Sequence, residues 1–243
     1  MAERTRLGIV CSSEGGVVDA LASMRGPDTT YEIAGVVTDR GCGVEAVATR
    51  HAIPVRRIVE PDRDRFSSRV AGVLETEGVD VVVLLFTRLV GPAVWRDFPG
   101  VVWNLHPSLL PRHRGLGALA RSYADAGIAD PPGVTMPLGV TLHHVTGETD
   151  AGAVIAQGRF GRAIAPTLEV AAHVSFLLKL ALLREALADG VRDTPPAVPV
   201  TEQPWHGHFR GLVPRPGVLT AVGRWARPPV VDWVAELGVA VTP

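Results

Sequence analysis

Apolar positions recur along this chain with two different periods. Leu7–Val10, Ile33–Val37 and Val79–Leu85 are short apolar runs that predict buried strands. Between them, Val17–Met24, Val44–His51 and Arg65–Glu77 space their apolar residues three and four apart, which predicts helices. A run such as V-V-V-L-L suits a strand covered on both faces, hence a parallel sheet with helices on each side. Val101–Leu105 reads as the next strand. Leu116–Ala126 reads as a helix that Asp130-Pro131-Pro132-Gly133 breaks. Leu138–Val145 and Ala153–Phe160 form a strand pair. Leu168–Asp189 is a long amphipathic helix with Pro166 near its start and Gly190 past its end.

The pattern fades from Asp193 onward. Eight prolines from Pro195 to Pro229 crowd a segment without periodicity, yet it holds Trp205, Trp225 and Trp233, three of the five tryptophans. Disordered tails are poor in aromatics. The expected organisation is a main domain over 1–190 and a small appendage over 191–243, packed on the core and ending in a short helix near Val231–Leu237.

Composition narrows the function classes. With 24 basic and 25 acidic residues the net charge is -1, so no broad attraction to nucleic acid or membrane is expected. Cys11 and Cys42 are too few for a disulfide framework and lie in no metal-ligand spacing. Leu7–Val10 is too short for a signal peptide or membrane span. A reduced, cytoplasmic setting is the expectation, with no metal site.

The chemistry concentrates in three residues. Asn104 and His106 end the Val101–Leu105 strand, where alternation puts both on one side. Asp150 follows the strand ending near Val145, and loops beyond strand ends are where open α/β sheets keep their chemistry. An amide, an imidazole and a carboxylate suit acyl transfer: donors for an oxyanion, a titratable ring and a charge to set it.

The surrounding blocks, N-L-H-P-S-L-L-P-R-H-R-G (Asn104 to Gly115), G-V-T-L-H (Gly139 to His143) and D-A-G-A-V-I-A-Q (Asp150 to Gln157), resemble the formyltransferases that use 10-formyltetrahydrofolate. The resemblance spans roughly residues 5 to 190. It implies a Rossmann-like, doubly wound α/β fold with a mostly parallel sheet, and it makes Asn104, His106 and Asp150 the catalytic trio. It also implies a pteridine slot. Arg88, Leu89 and Val90 would offer backbone groups to the ring edge and Phe86 an apolar wall. Val145, Thr146 and Gly147 form the other flank, with Gly147 loosening that loop.

On the acceptor side the match to the glycinamide ribonucleotide enzyme runs out. Where that enzyme grips a phosphate, this chain reads C-S-S-E-G-G-V-V-D (Cys11 to Asp19), with Gly15 keeping the turn. Glu14 there would repel a phosphate by roughly 3 kcal/mol at ~5 Å and an effective dielectric of 20. Arg112 and Arg114 are placed to pair with an anionic group on the acceptor. His113 and His144 read as surface or packing residues, and His143 as a residue orienting Asp150 or a water. Ser108 has no convincing base.

The expected activity moves a formyl group from 10-formyltetrahydrofolate, as co-substrate, to a small-molecule amine. An amino sugar or specialised metabolite is preferred over glycinamide ribonucleotide. A hydrolase of the same donor, or a one-carbon transferase with a non-amine acceptor, are the alternatives, and a homodimer is the oligomeric state to test.

Overall fold

A computed structural model describes residues 4–26, 29–126, 136–162 and 165–188. The boundary at 190, the appendage and its terminal helix lie outside the described residues. Among the described residues seven strands and six helices follow in the order β1 (Thr5–Cys11), α1 (Gly16–Ser23), β2 (Tyr31–Thr38), α2 (Val44–Arg50), β3 (Val55–Arg57), α3 (Arg63–Thr76), β4 (Val81–Leu85), α4 (Pro92–Trp95), β5 (Val101–His106), α5 (Ala118–Asp125), β6 (Leu138–His144), β7 (Val154–Phe160) and α6 (Leu168–Ala188). The described residues gather into two compact units. One runs to Leu105 and includes His144–Thr149; the other holds His106–His143 and Asp150–Ala186.

In the first unit β1 pairs in parallel with both β2 and β4, β2 with β3, and β4 with β5. The spatial order β3-β2-β1-β4-β5 therefore reverses beside β1, the kind of switch point at which doubly wound sheets open a crevice. Consecutive residues Val81, Val82 and Val83 face opposite sides of the sheet and all are shut off from solvent, so both faces are covered. One cover is α3. Asp62 caps it by accepting from the Arg65 N–H at 2.8 Å. Phe66, Val70, Ala71 and Leu74 form its buried stripe. Leu74 lies so close to β1 that a Cβ at Gly8 would sit 2.7 Å from its Cδ2. The sequence reading misses β3 and α4, which are too short to show a period: three residues at an edge, and one turn begun by Pro92.

In the second unit β6 and β7 are antiparallel, with Thr141 opposite Gln157. Of the five described strand pairings four are parallel, so the fold is α/β and mostly parallel, as the apolar runs imply. The expectation of an amphipathic last helix needs correction. Leu180, Ala181, Leu182 and Leu183 are four successive residues of α6 that cover a full turn, and all are buried. Such a helix is enclosed on every side over that turn, which explains its lack of a polar face. No described helix is long and apolar enough to cross a membrane.

Candidate active site

β5 carries Asn104 and His106 at its C-terminal end, two residues apart and therefore on one side of the strand. Asn104 is half-buried and stands opposite Leu84 of β4. Past His106 the chain must stay in register although it leaves the strand, and a buried polar network holds it there. The Thr141 hydroxyl donates to the Ser108 carbonyl at 2.7 Å and accepts from the Leu110 N–H at 3.0 Å. Gln157 donates to the Leu110 carbonyl and to the Thr141 hydroxyl, each at 2.9 Å. Main-chain groups of an irregular segment, cut off from water, thus find partners on β6 and β7. Ser108 itself donates to the Arg112 carbonyl at 2.9 Å and is fully buried, a structural hydroxyl.

The network leaves His106 facing Asp150. Nδ1 of His106 lies 3.2 Å from Oδ2 of Asp150, and the two side chains are 5% and 10% exposed. The other ring nitrogen, Nε2, donates to the His113 carbonyl at 2.9 Å. Oδ2 of Asp150 also accepts from the Gly115 N–H at 2.8 Å, and its Oδ1 is 3.6 Å from Nε2 of His143. Asp150 adopts φ 51, a left-handed conformation that Asp tolerates better than most residues, at the turn that follows the β6 segment.

Two opposed forces act on each partner. For His106 the largest is burial, which disfavours the cation; Asp150 and the His113 carbonyl push the other way, and the ring ends below the ordinary imidazole range. Yet a carbonyl and a carboxylate both only accept, so the ring satisfies both contacts only as an imidazolium. The site is thus shaped for a charged ring that the loss of water holds back. The opposite charge of Asp150 does raise the ring's affinity for a proton, but desolvation outweighs it. For Asp150 burial alone would raise the carboxyl, but His143, the Gly115 N–H and His106 outweigh it and bring the pKa to about 2.

The expected pteridine residues all lie in the first unit. Phe86, Val90 and Val145 pack against the core cluster built on Phe66 and Val70. The Phe86 ring stacks on Phe66 with centroids 5.6 Å apart. Arg88 lays its guanidinium 4.5 Å from the Phe66 ring centroid and donates to the Glu60 and Pro61 carbonyls at 2.7 Å each. Its side chain is therefore spent on fixing the turn, consistent with a recognition role for its main chain alone. Leu89 projects into solvent, 59% exposed. The Thr146 hydroxyl donates to the Glu148 carbonyl at 3.1 Å. Gly147 has a reason other than looseness: a Cβ there would sit 2.9 Å from Cζ2 of Trp95. The loop is pressed onto an indole.

Gly15 adopts φ 79 as the residue before α1, and a Cβ there would fall 2.8 Å from Cα of Val44. Glu14 is exposed and leans over Gly43, the residue preceding α2; any side chain at 43 would collide with its carboxylate. Arg112 reaches Asp125 at 3.8 Å and the Met136 sulfur at 3.4 Å. Arg114 is half-buried, and its carbonyl accepts from Arg121.

His143 stands beside Asp150 as expected. His113 is more than a surface residue: its carbonyl holds His106, its ring lies 3.4 Å from Asp125, and its φ of 55 turns the loop. That carbonyl, the Gly115 N–H and Arg121 escape sequence reading because main-chain partners leave no side-chain signature. Lys179, the chain's one lysine, is also missed. It lies on α6, its ammonium is held below the ordinary lysine range by burial, and its charge bears on His106.

A family model described as formyl transferase matches residues 9–169. The trifunctional purine biosynthetic protein adenosine-3 of Gallus gallus is 34% identical over 173 residues, which is 68% of this chain and 16% of that one. The phosphoribosylglycinamide formyltransferase of Mycobacterium tuberculosis is 30% identical over 156 residues, covering 63% of this chain and 69% of its own. Among solved structures, glycinamide ribonucleotide transformylase 1 from Symbiobacterium toebii superposes with a TM-score of 0.67 at 27% identity, over 78% of this chain and 90% of that one.

Proposed function

Because this chain belongs to the formyl transferase family, whose members are folate-dependent one-carbon transferases, we propose that it carries the formyl group of 10-formyltetrahydrofolate to the amine of a small molecule. The observation that carries the reading is the His106–Asp150 pair, sunk from solvent and held by three neighbours, His113, Gly115 and His143. A surface ion pair would need no such enclosure.

In the reaction the amine attacks the formyl carbon and its oxygen becomes an oxyanion. Asn104 and the Nε2–H of His106 donate to that oxygen; a positioned donor of this kind supplies about 3 kcal/mol. An oxyanion is a stronger acceptor than the amide carbonyl of His113, so it competes for the same N–H. His106 donates as the imidazolium, having taken its second proton from solvent before the amine attacks, and Asp150 is placed to hold that charge. The proton lost by the amine passes by way of Asp150 or a water to N10 of the folate, which departs as the amide forms. Phe86, Val90 and Val145 supply an apolar wall for the pteridine, and the main chain of Arg88 to Val90 and of Thr146 and Gly147 supplies its polar contacts.

The acceptor is an amino sugar or specialised amine in preference to glycinamide ribonucleotide. Glu14 supports this: a carboxylate stands in the turn before α1, where a phosphate would meet repulsion, and a cationic amine would not. The test is a panel of amines, glycinamide ribonucleotide included, offered with 10-formyltetrahydrofolate while folate absorbance is followed. Turnover of an unphosphorylated amine at least tenfold above that of the ribonucleotide is expected. Efficient formylation of the ribonucleotide, with no gain in Glu14→Asn, overturns the acceptor assignment. Formate release without any acceptor identifies a hydrolase instead.

A further inference from the structure

Between His106 and α5 the main chain makes a tight curve. His113 takes φ 55, Gly115 φ 80 and Gly117 φ 70, so three residues of five lie in the left-handed region. Curvature of this kind turns successive carbonyls toward one point, where their dipoles repel unless a cation stands there. Arg121 of α5 supplies it. One guanidinium nitrogen of Arg121 donates to His113 at 3.2 Å, Gly115 at 3.4 Å and Leu116 at 3.1 Å, and closest of all to Arg114.

The same curve touches both members of the acid–base pair. Its first carbonyl, that of His113, accepts from Nε2 of His106 at 2.9 Å. Two residues on, the N–H of Gly115 donates to Oδ2 of Asp150 at 2.8 Å. His106 and Arg121 therefore share one acceptor oxygen, and the carboxylate opposite His106 is anchored on a peptide whose carbonyl Arg121 also draws. Solvent on its outer side does not make the guanidinium idle, because its work is on main chain that faces inward.

We infer that Arg121 is a positioning residue of the formyl-transfer site, holding the His113–Leu116 curve so that its carbonyl and N–H fix His106 and Asp150 in their reactive arrangement. The inference rests on the reading of that pair as the acid–base centre. Arg121 touches neither ring nor carboxylate, and its hold on them passes through backbone alone. A lysine keeps the positive charge but carries it on a flexible stem, so it neutralises the carbonyls without the fixed placement of the planar guanidinium. The His113 carbonyl favours the charged ring. Loss of the Arg121 cation raises the affinity of His106 for its proton while release of that carbonyl lowers it, and Arg121→Lys keeps the charge and so isolates the second effect.

The experiment titrates His106 by NMR in the full chain, without substrate, in wild type, Arg121→Met and Arg121→Lys, and measures kcat, KM and thermal midpoint alongside. In Arg121→Lys, which keeps the charge, the His106 titration is expected to fall below that of wild type. At saturating donor, kcat of Arg121→Met should drop at least about tenfold, with KM for the folate nearly unchanged, and Arg121→Lys should lie between in kcat. If kcat in Arg121→Met and the His106 titration in Arg121→Lys stay as in wild type, with only a lower midpoint, Arg121 is a loop brace and the inference is overturned. Should Arg121→Met not fold, an unshifted titration and unchanged kcat in Arg121→Lys overturn it equally. Because the titration needs no turnover, it stands even if His106→Ala were to show that the pair is not the catalytic centre.

Discussion

Oδ2 of Asp150 stands 3.2 Å from Nδ1 of His106 while accepting a main-chain hydrogen bond from Gly115. One oxygen thus ties the ring at the end of β5 to the loop that follows it. Removing either side chain breaks the pair and leaves its partner buried without its opposite number. His106→Ala and Asp150→Ala should each fold yet lose at least ~100-fold in turnover, the usual cost of a positioned acid–base or oxyanion group. Steady-state rates close to wild type in either variant would remove the pair from the mechanism.

Asp150 also predicts a pH dependence of stability. Its carboxyl sits at about 2 in the fold against an ordinary 3.8. A depressed carboxylate contributes stability that is present above the unfolded value and lost as pH falls through the folded one. About 2 kcal/mol should therefore disappear between roughly pH 4 and pH 2. His106, depressed as well, binds its proton more readily in the unfolded chain, so stability also declines below its ordinary range near 6.5. Urea midpoints taken from pH 7 to pH 2.5 should fall less steeply in Asp150→Asn than in wild type.

Lys179 acts on His106 in the opposite sense to Asp150, because a nearby cation disfavours a second positive charge. Lys179→Met keeps the length of the stem and removes the charge. The His106 titration should move upward, and the limb of the kcat/KM profile that it controls should move with it. An unchanged titration would mean that water screens the two groups from each other.

Gln157→Leu tests the network behind the loop. The substitution takes away the donor for the Leu110 carbonyl and leaves that buried oxygen unsatisfied, at a cost of about 1–3 kcal/mol. The loop carrying His106 should shift as well, so turnover should decline by more than the loss of stability alone explains. Activity of the folded fraction at wild-type level would show that β5 by itself positions the ring.

Gly147→Ala places a methyl group 2.9 Å from the Trp95 ring. The flank of the proposed pteridine slot must move to accept it. KM for 10-formyltetrahydrofolate should rise several-fold while KM for the amine stays put. An effect on the amine alone would take this loop away from the donor site.

Periodicity by itself determined most of the fold. Continuous apolar runs at β1 and β4 require cover on both faces, and the stripe of α3 supplies it, so parallel strands with packed helices follow from local pattern. Order and spacing of Asn104, His106 and Asp150 pointed to the candidate site for the same reason: the ends of strands in such a sheet gather their loops. Short elements stayed hidden, since three residues at β3 and one turn at α4 are fewer than a period. α6 was misjudged because a helix enclosed on all sides shows an apolar excess in sequence and conceals where its neighbours lie. Only tertiary structure could decide how His106 is held. Its partners are the His113 carbonyl and a carboxylate anchored by the Gly115 N–H, and every residue carries those same backbone groups. Which of them faces the ring depends on left-handed turns at 113, 115 and 117 and on the cation of Arg121, a geometry no side-chain pattern encodes. Desolvation was equally beyond reach: a ring's protonation follows from the depth at which packing leaves it, and depth belongs to the assembled molecule.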